Sequence, residues 1–293
     1  MSHLLQLEGF TMSINYIDGA TISFLQSYSK DDPNVIPFSV EIENIYHAYR
    51  RCYSKDPFAD VPVEKQARDN LKAKFIEYFE ATVSGDQFFG EASLYFKDER
   101  FTKGQGEEYL NRLLQFYGED AYYNFLYQCN FIKAHLNHES PFEHASLTVS
   151  IDGVSRSFTH QWVRSRIASH SQASQRYIGE KSGTLDVILP YKIAENPEAK
   201  AIVNAYFEQM PDIISKLADL GIKNEDIRCI FPNAMATGIV STMNFREWKH
   251  LFELRISSHA QAEIRNVSYH IWSFLNESIP LVWANAWDRR IKE

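Results

Sequence analysis

Cysteine is scarce in this chain. The three present, Cys52, Cys129 and Cys229, lie far apart and form no C-x-x-C, which suits a reducing compartment and argues against a disulfide framework. No apolar run reaches the ~18 residues that a membrane-crossing helix needs. Residues 1–10 lack a basic region followed by a long apolar run, so no signal peptide is expected and the cytoplasm is the expected location. Positive charge is not in excess: the net charge is −8, which excludes a broad polyphosphate-binding surface and, with it, a nucleic-acid polymer as partner. Local basic residues can still hold a small anion. No internal repeat and no low-complexity segment occurs.

Apolar and aromatic side chains are plentiful. Hydrophobic residues make up 44 % of the 293, with 20 Phe, 16 Tyr and 5 Trp, enough for a packed core and against global disorder. The length suits one large domain, or one domain with a sizeable insertion. Residues 12–27 alternate weakly around Asp18-Gly19, a hairpin-turn signal. Helices are expected over 41–53, over 63–83 and over 107–136, with irregular stretches between them. Leu147, Val149 and Ile151 alternate with Thr148 and Ser150, which predicts a half-buried strand ended by Asp152-Gly153, with a helix from about Val154. A long helix is expected over 197–219, then a short one capped by Asn224, then helices over 245–264 and 266–276. The mixture is α+β, read as one domain over residues 1–293 with a mainly helical insertion at 56–134.

The most informative run is Gln161-Trp162-Val163-Arg164-Ser165-Arg166. On a helix, Val154, Phe158 and Trp162 would share a face, and Gln161 would lie beside Arg164. Arg164 and Arg166 would then differ by about 200°, at ~100° per residue, so each could serve a different ligand. Ser169, Ser171, Ser174 and Arg176 follow, and hydroxyls with a guanidinium suit a phosphate. A solvated polar helix end would carry the same residues.

Several ordered motifs go further. Arg164-Ser165-Arg166, seven residues, then Ser174 resembles the R-H-R…Ser signature of flavin-dependent thymidylate synthases, the ThyX family. Ser140-Pro141-Phe142-Glu143-His144, Gly153-Val154-Ser155-Arg156 and Ser174-Gln175-Arg176-Tyr177 resemble other segments of that family. So do Phe231-Pro232-Asn233-Ala234, Asn244-Phe245-Arg246 and Leu254-Arg255, with His259-Ala260 behind them, and Ala48 to Tyr53 upstream. The strong similarity covers about half the chain, residues 138–270. Two positions depart from it: the central His is Ser165, and a position often Arg in the family is Gly238.

The resemblance implies an α+β fold with a central sheet and long helices, a homotetramer, and reductive methylation of dUMP to dTMP. Methylenetetrahydrofolate would supply the carbon, FAD the hydride, and NADPH would recharge the flavin. Carried over by position, Arg164 and Arg255 would face the pyrimidine. Gln161, Gln172, Ser174, Gln175 and Arg176 would hold the nucleotide. Ser174, Arg164 and Arg255 would form the catalytic set. Arg166, Ile167, Asn244, Arg246 and His259 would contact FAD, with His144 near the flavin; Cys52 serves equally as a cofactor contact or as packing. Trp248, Phe252, Arg255 and His259 would share one helical stripe.

Two rivals stand beside this. Ser165 and Gly238 suit an enzyme acting on another uracil nucleotide, as methylase or hydroxymethylase, or a catalytically impaired FAD- and nucleotide-binding paralogue. His135, His138, Glu139 and His144 cluster as in a metal hydrolase, but not in H-E-x-x-H order, and Pro141 would break a helix presenting them; no metal is expected.

Overall fold

Two sheets organise the chain. The computed structural model describes residues 13–16, 19–24, 36, 38–53, 63–84, 106–175 and 184–283. The strands are β1 (Ser13–Tyr16), β2 (Thr21–Phe24), β3 (Ser146–Ser155), β4 (Ala168–Gln172), β5 (Thr184–Val187) and β6 (Ala236–Asn244). One sheet has the order β2-β3-β6-β4, and β1 pairs with β5 in parallel. The helices are α1 (Ser39–Tyr53), α2 (Lys65–Ser84), α3 (Gly106–Tyr117), α4 (Glu119–Ala134), α5 (Arg156–Trp162), α6 (Tyr191–Ala194), α7 (Pro197–Phe207), α8 (Met210–Asp219), α9 (Asn224–Ile227), α10 (Phe245–Arg255), α11 (Ala262–Ser278) and α12 (Pro280–Trp283). This is the mixed α+β architecture that the sequence implied. Among the described residues no helix is long and apolar enough to cross a membrane.

The chain divides into two compact units, one of residues 1–21, 151–164 and 171–240, the other of residues 22–150, 165–170 and 241–293. In the first, Leu185 and Val187 of β5 are buried with Phe207, Met210, Ile214, Ile227 and Met235. In the second, Ile42, Ile45 and Tyr49 of α1 are buried, as are Phe125, Cys129 and Ile132 of α4 and Ile264, Ile271 and Leu275 of α11. Phe38 has a left-handed φ of 62°, a conformation costing a bulky residue about 1–3 kcal/mol. Burial offsets it: the ring meets Phe245 and Phe274 edge-on, each at 5.9 Å.

Several local expectations are corrected. The Asp18-Gly19 hairpin does not form, since β1 and β2 enter different sheets; Asp18 itself lies outside the described residues. Pairing with β5 places β1 against a buried strand, which a free two-stranded ribbon lacks. Strand β3 runs through Asp152-Gly153 to Ser155. Gly153 has φ 72°, and the buried positions shift from odd to even there, with Val154 following Ile151; a glycine is what lets a strand change phase in this way. The 107–136 helix is two helices, broken at Gly118 with φ 83°. The 197–219 helix breaks before α8, because Pro211 has no N–H to give the Phe207 carbonyl. Lys223, without a side-chain bond, occupies the cap position expected of Asn224. Helix α10 stops at Arg255, and α11 starts only at Ala262. Between them Ser257 Oγ accepts the His259 N–H at 3.3 Å, a local bond that competes with helix continuation. The irregular stretches around 25–35, 54–62 and 85–105 lie outside the described residues.

Candidate functional site

In the first unit the site is built around the start of α5. Ser155 caps the helix, accepting the Phe158 N–H at 3.0 Å. Phe158 and Trp162 are fully buried and stack at 5.1 Å, which anchors the helix. Val154 lies on β3, so it shares no helical face with them. The Arg156 and Ser157 N–H groups bond the Met235 and Asn233 carbonyls, both at 3.0 Å, tying α5 to the Pro232-Asn233-Ala234 turn. Gln172 Nε2 donates to Thr159 Oγ1 at 2.7 Å. The Ala173 N–H donates to the Gly238 carbonyl at 2.9 Å. These bonds place Gln172 alongside α5 and Ala173 on β6, with Ser174 and Gln175 next in the chain. Gln161 donates to the Ser157 carbonyl at 3.2 Å. Arg176 lies outside the described residues.

Arg164 does not continue the helix. Helix α5 ends at Trp162, and Arg164 and Arg166 both sit exposed in the following loop. Opposite helical faces therefore do not separate them; the loop does. The cause is the short register of α5, whose last helical bonds are Val163 N–H to Thr159 O at 3.0 Å and Arg164 N–H to Gln161 O at 3.4 Å.

The sequence motifs assign no role to Arg156 or Arg228. The pKa of Arg156 is held below the ordinary arginine value, first by burial and then by repulsion from Arg228. Arg156 donates to the Ala173 carbonyl at 3.4 Å and Arg228 to the Glu225 carbonyl at 3.0 Å. Neither has a carboxylate partner among the described residues. Each guanidinium therefore keeps donors to offer an anion. The signal was available: Arg156 closes the Gly153-to-Arg156 segment, and Arg228 stands four residues before Pro232.

The second unit holds the remaining candidates. Ile167 is 65 % exposed, and Cys52, His144 and His259 are exposed. Asn244 caps α10, its Oδ1 accepting the Glu247 N–H at 2.8 Å, so its amide NH₂ is the part left for a ligand. Arg246 is engaged by the Glu143 carboxylate and lies 3.6 Å from that of Glu139. The Glu143 hydrogen bond, then the charges of both acids, raise its pKa. A phosphate there has to displace Glu143 or share the guanidinium with it. Arg255 is half-buried as the last residue of α10, and His259 follows in the turn. The stripe expected through Trp248, Phe252, Arg255 and His259 thus ends at Arg255. His135 stacks on Phe131 at 4.4 Å and donates to its carbonyl at 2.8 Å, while the His138 carbonyl accepts from Tyr49. No group of His, Cys, Asp and Glu among the described residues is arranged to hold a metal.

Both the sequence and the fold have known relatives. The sequence model of the family described as "Thymidylate synthase complementing protein" matches residues 38–281. A flavin-dependent thymidylate synthase of Geobacter sulfurreducens is 36 % identical over 151 residues, covering 52 % of this chain and 65 % of that protein. One of Nitratidesulfovibrio vulgaris is 43 % identical over 157 residues, covering 51 % and 63 %, and one of Pyrococcus abyssi 42 % over 154, covering 50 % and 62 %. The chain thus spans less than two thirds of the length of these relatives. Among solved structures, a UMP/dUMP methylase of Streptomyces cacaoi bound with 5-Br dUMP superposes with a TM-score of 0.56, over 94 % of this chain and 97 % of that one, at 15 % identity. That likeness extends the shared fold across nearly the whole chain. With the family match spanning both units, the chain belongs to the thymidylate synthase complementing protein family, that of the flavin-dependent thymidylate synthases.

Proposed function

We propose that this protein is an FAD-dependent enzyme that reductively methylates dUMP to dTMP, using methylenetetrahydrofolate and NADPH. The observation that carries the reading is the family match over residues 38–281. Arg156 reaches the Ala173 carbonyl and so stands beside Gln172, Ser174 and Gln175, where a charge-assisted bond would hold a nucleotide phosphate. Gln161, Gln172, Ser174, Gln175 and Arg176 would orient the nucleotide. Arg164 and Arg255 would face the pyrimidine and stabilise negative charge developing on its carbonyl oxygens.

The residues of the second unit fit a flavin nucleotide. Ile167 offers exposed apolar surface for a ring, and Arg166, the Asn244 amide, Arg246 and His259 offer donors to phosphate and ribose. His144 and Cys52 would border the same ligand. Reduced FAD supplies a hydride when bound, so the protein's part is positioning, charge and exclusion of water. No cysteine nucleophile is required; Cys129 is buried and its thiol pKa is raised by that burial.

A second reading, action on UMP, is favoured by one feature. Gly238 leaves room that the Asp152 carboxylate fills, and a carboxylate can accept a bond from a ribose 2′-hydroxyl. The fold neighbour's description as a UMP/dUMP methylase points the same way.

The same reading makes the chain one family domain with a helical insertion at 56–134, a cytoplasmic protein and a homotetramer. Ile202, Tyr206 and Leu220 are exposed, giving apolar surface for subunit contact. Tritium release from carbon-5-labelled dUMP and UMP, with FAD, NADPH and methylenetetrahydrofolate, tests the activity. Release from dUMP is expected; release from neither nucleotide, by protein that stays colourless with FAD at tens of micromolar, would refute it. Light scattering that reports a monomer would refute the tetramer.

A further inference from the structure

We propose that His170 is the positioning residue for the loop that carries Arg164 and Arg166. The inference rests on the functional reading above for what the loop does, and on the structure for how it is held. Residues 163–167 have no regular structure between α5 and β4. Val163 is 40 % and Ile167 65 % exposed, and both arginines are exposed. Ordering free residues costs backbone entropy, so a loop that must present a guanidinium gains from a tether already in place.

His170 is that tether. Its Nε2 lies 3.2 Å from the Ser165 carbonyl and its Nδ1 2.9 Å from Ser241 Oγ. A carbonyl only accepts, so Nε2 carries the proton, and the Nδ1 of the neutral ring accepts from the Ser241 hydroxyl. Ser241 is fully buried on β6, which fixes one end of the ring. The other end holds the peptide plane joining Ser165 to Arg166, which carries the Arg166 Cα and so the direction in which that side chain leaves the loop. His170 touches neither nucleotide nor flavin in this scheme; it acts through the Ser165 carbonyl. The imidazole, bonded at both nitrogens, joins the loop to the sheet although residue 165 is itself only a serine.

The test uses the full-length protein. His170→Phe keeps a planar ring and removes both nitrogens; His170→Gln restores an N–H at similar reach; Ser241→Ala removes the buried anchor alone. A single neutral hydrogen bond is worth about 0.5–1.5 kcal/mol, or about two- to tenfold. His170→Phe is expected to weaken FAD and dUMP binding by that factor and to lower kcat more than it raises KM. It should also speed amide exchange at 164–167 in the ligand-free protein with the urea midpoint little changed. His170→Gln should recover most of the loss, and Ser241→Ala should lie between. Nitrogen-15 shifts of the wild-type ring should report a proton on Nε2. Unchanged exchange and affinities in His170→Phe would overturn the proposal, as would a neutral ring protonated on Nδ1, or losses that follow the urea midpoint and are not rescued by Gln. Should the wild type bind neither FAD nor dUMP, the functional reading falls, while exchange and ring protonation still decide whether His170 holds the loop.

Discussion

Replacing Gly238 by alanine should be felt through one identifiable contact, the Asp152 carboxylate. A Cβ at position 238 would stand 3.2 Å from Asp152 Cγ and far inside contact distance of its Oδ1, while the Ile151 carbonyl at 3.6 Å is ordinary contact. Without Asp152 the change should help, since glycine inside a strand is about 0.5–1 kcal/mol worse than alanine. With it, the exposed carboxylate has to swing aside and give up the interaction it now makes, at about 0.5–1.5 kcal/mol. The two nearly cancel, so Gly238→Ala alone should change stability by less than about 1 kcal/mol. In an Asp152→Ala background both offending atoms are gone, and Gly238→Ala should stabilise. Urea unfolding of the four proteins of this cycle, compared at constant m, measures the coupling. The Gly238 carbonyl receives the Ala173 N–H, so nucleotide affinity should fall in Gly238→Ala and return in the double variant. An equal effect of Gly238→Ala in both backgrounds would show that Asp152 does not fill this space and would remove the structural basis for the UMP reading.

Arg255→Ala should weaken nucleotide binding by about 1.5–3 kcal/mol, the scale of a bond to a charged group, and FAD binding by less; calorimetry on the folded variant that shows unchanged nucleotide affinity would take Arg255 out of the site. Lys133 on α4 titrates at about 8 in place of 10.5, held down chiefly by burial and by the Lys74 charge, against the pull of Glu77. Its folded pKa is depressed, so between pH 8 and 10.5 the folded state binds fewer protons than the unfolded one, and this contribution to stability rises with pH through that window and is lowest below it. Lys133→Met should therefore stabilise at pH 7, by about 1 kcal/mol after solvent screening, with the gain fading as pH approaches 10.5; a pH-independent difference would show that the gain is packing alone.

Local periodicity made much of the architecture legible. Helices α1 and α2 are where the spacing of Ile42, Ile45 and Tyr49, and of Leu71 and Phe75, puts them, because each buries one face and the 3.6-residue period is written into the chain. The alternation of Leu147, Val149 and Ile151 likewise announced β3. The ordered motifs named the family, since side-chain chemistry at fixed spacing survives without coordinates. Partners distant in sequence were decided by the tertiary structure. Asp18-Gly19 reads as a turn, but β5 takes β1 into a separate sheet. Arg164 and Arg166 read as opposite faces of a helix that ends two residues before the first of them. Arg246 reads as a ligand residue and is met by Glu143, more than a hundred residues away. His170 gained significance only when its ring reached Ser165 and Ser241. Backbone preference acts over a few residues and can be read along the chain. Charge pairing, strand partnership and ring orientation depend on distances that exist only once the chain has closed on itself.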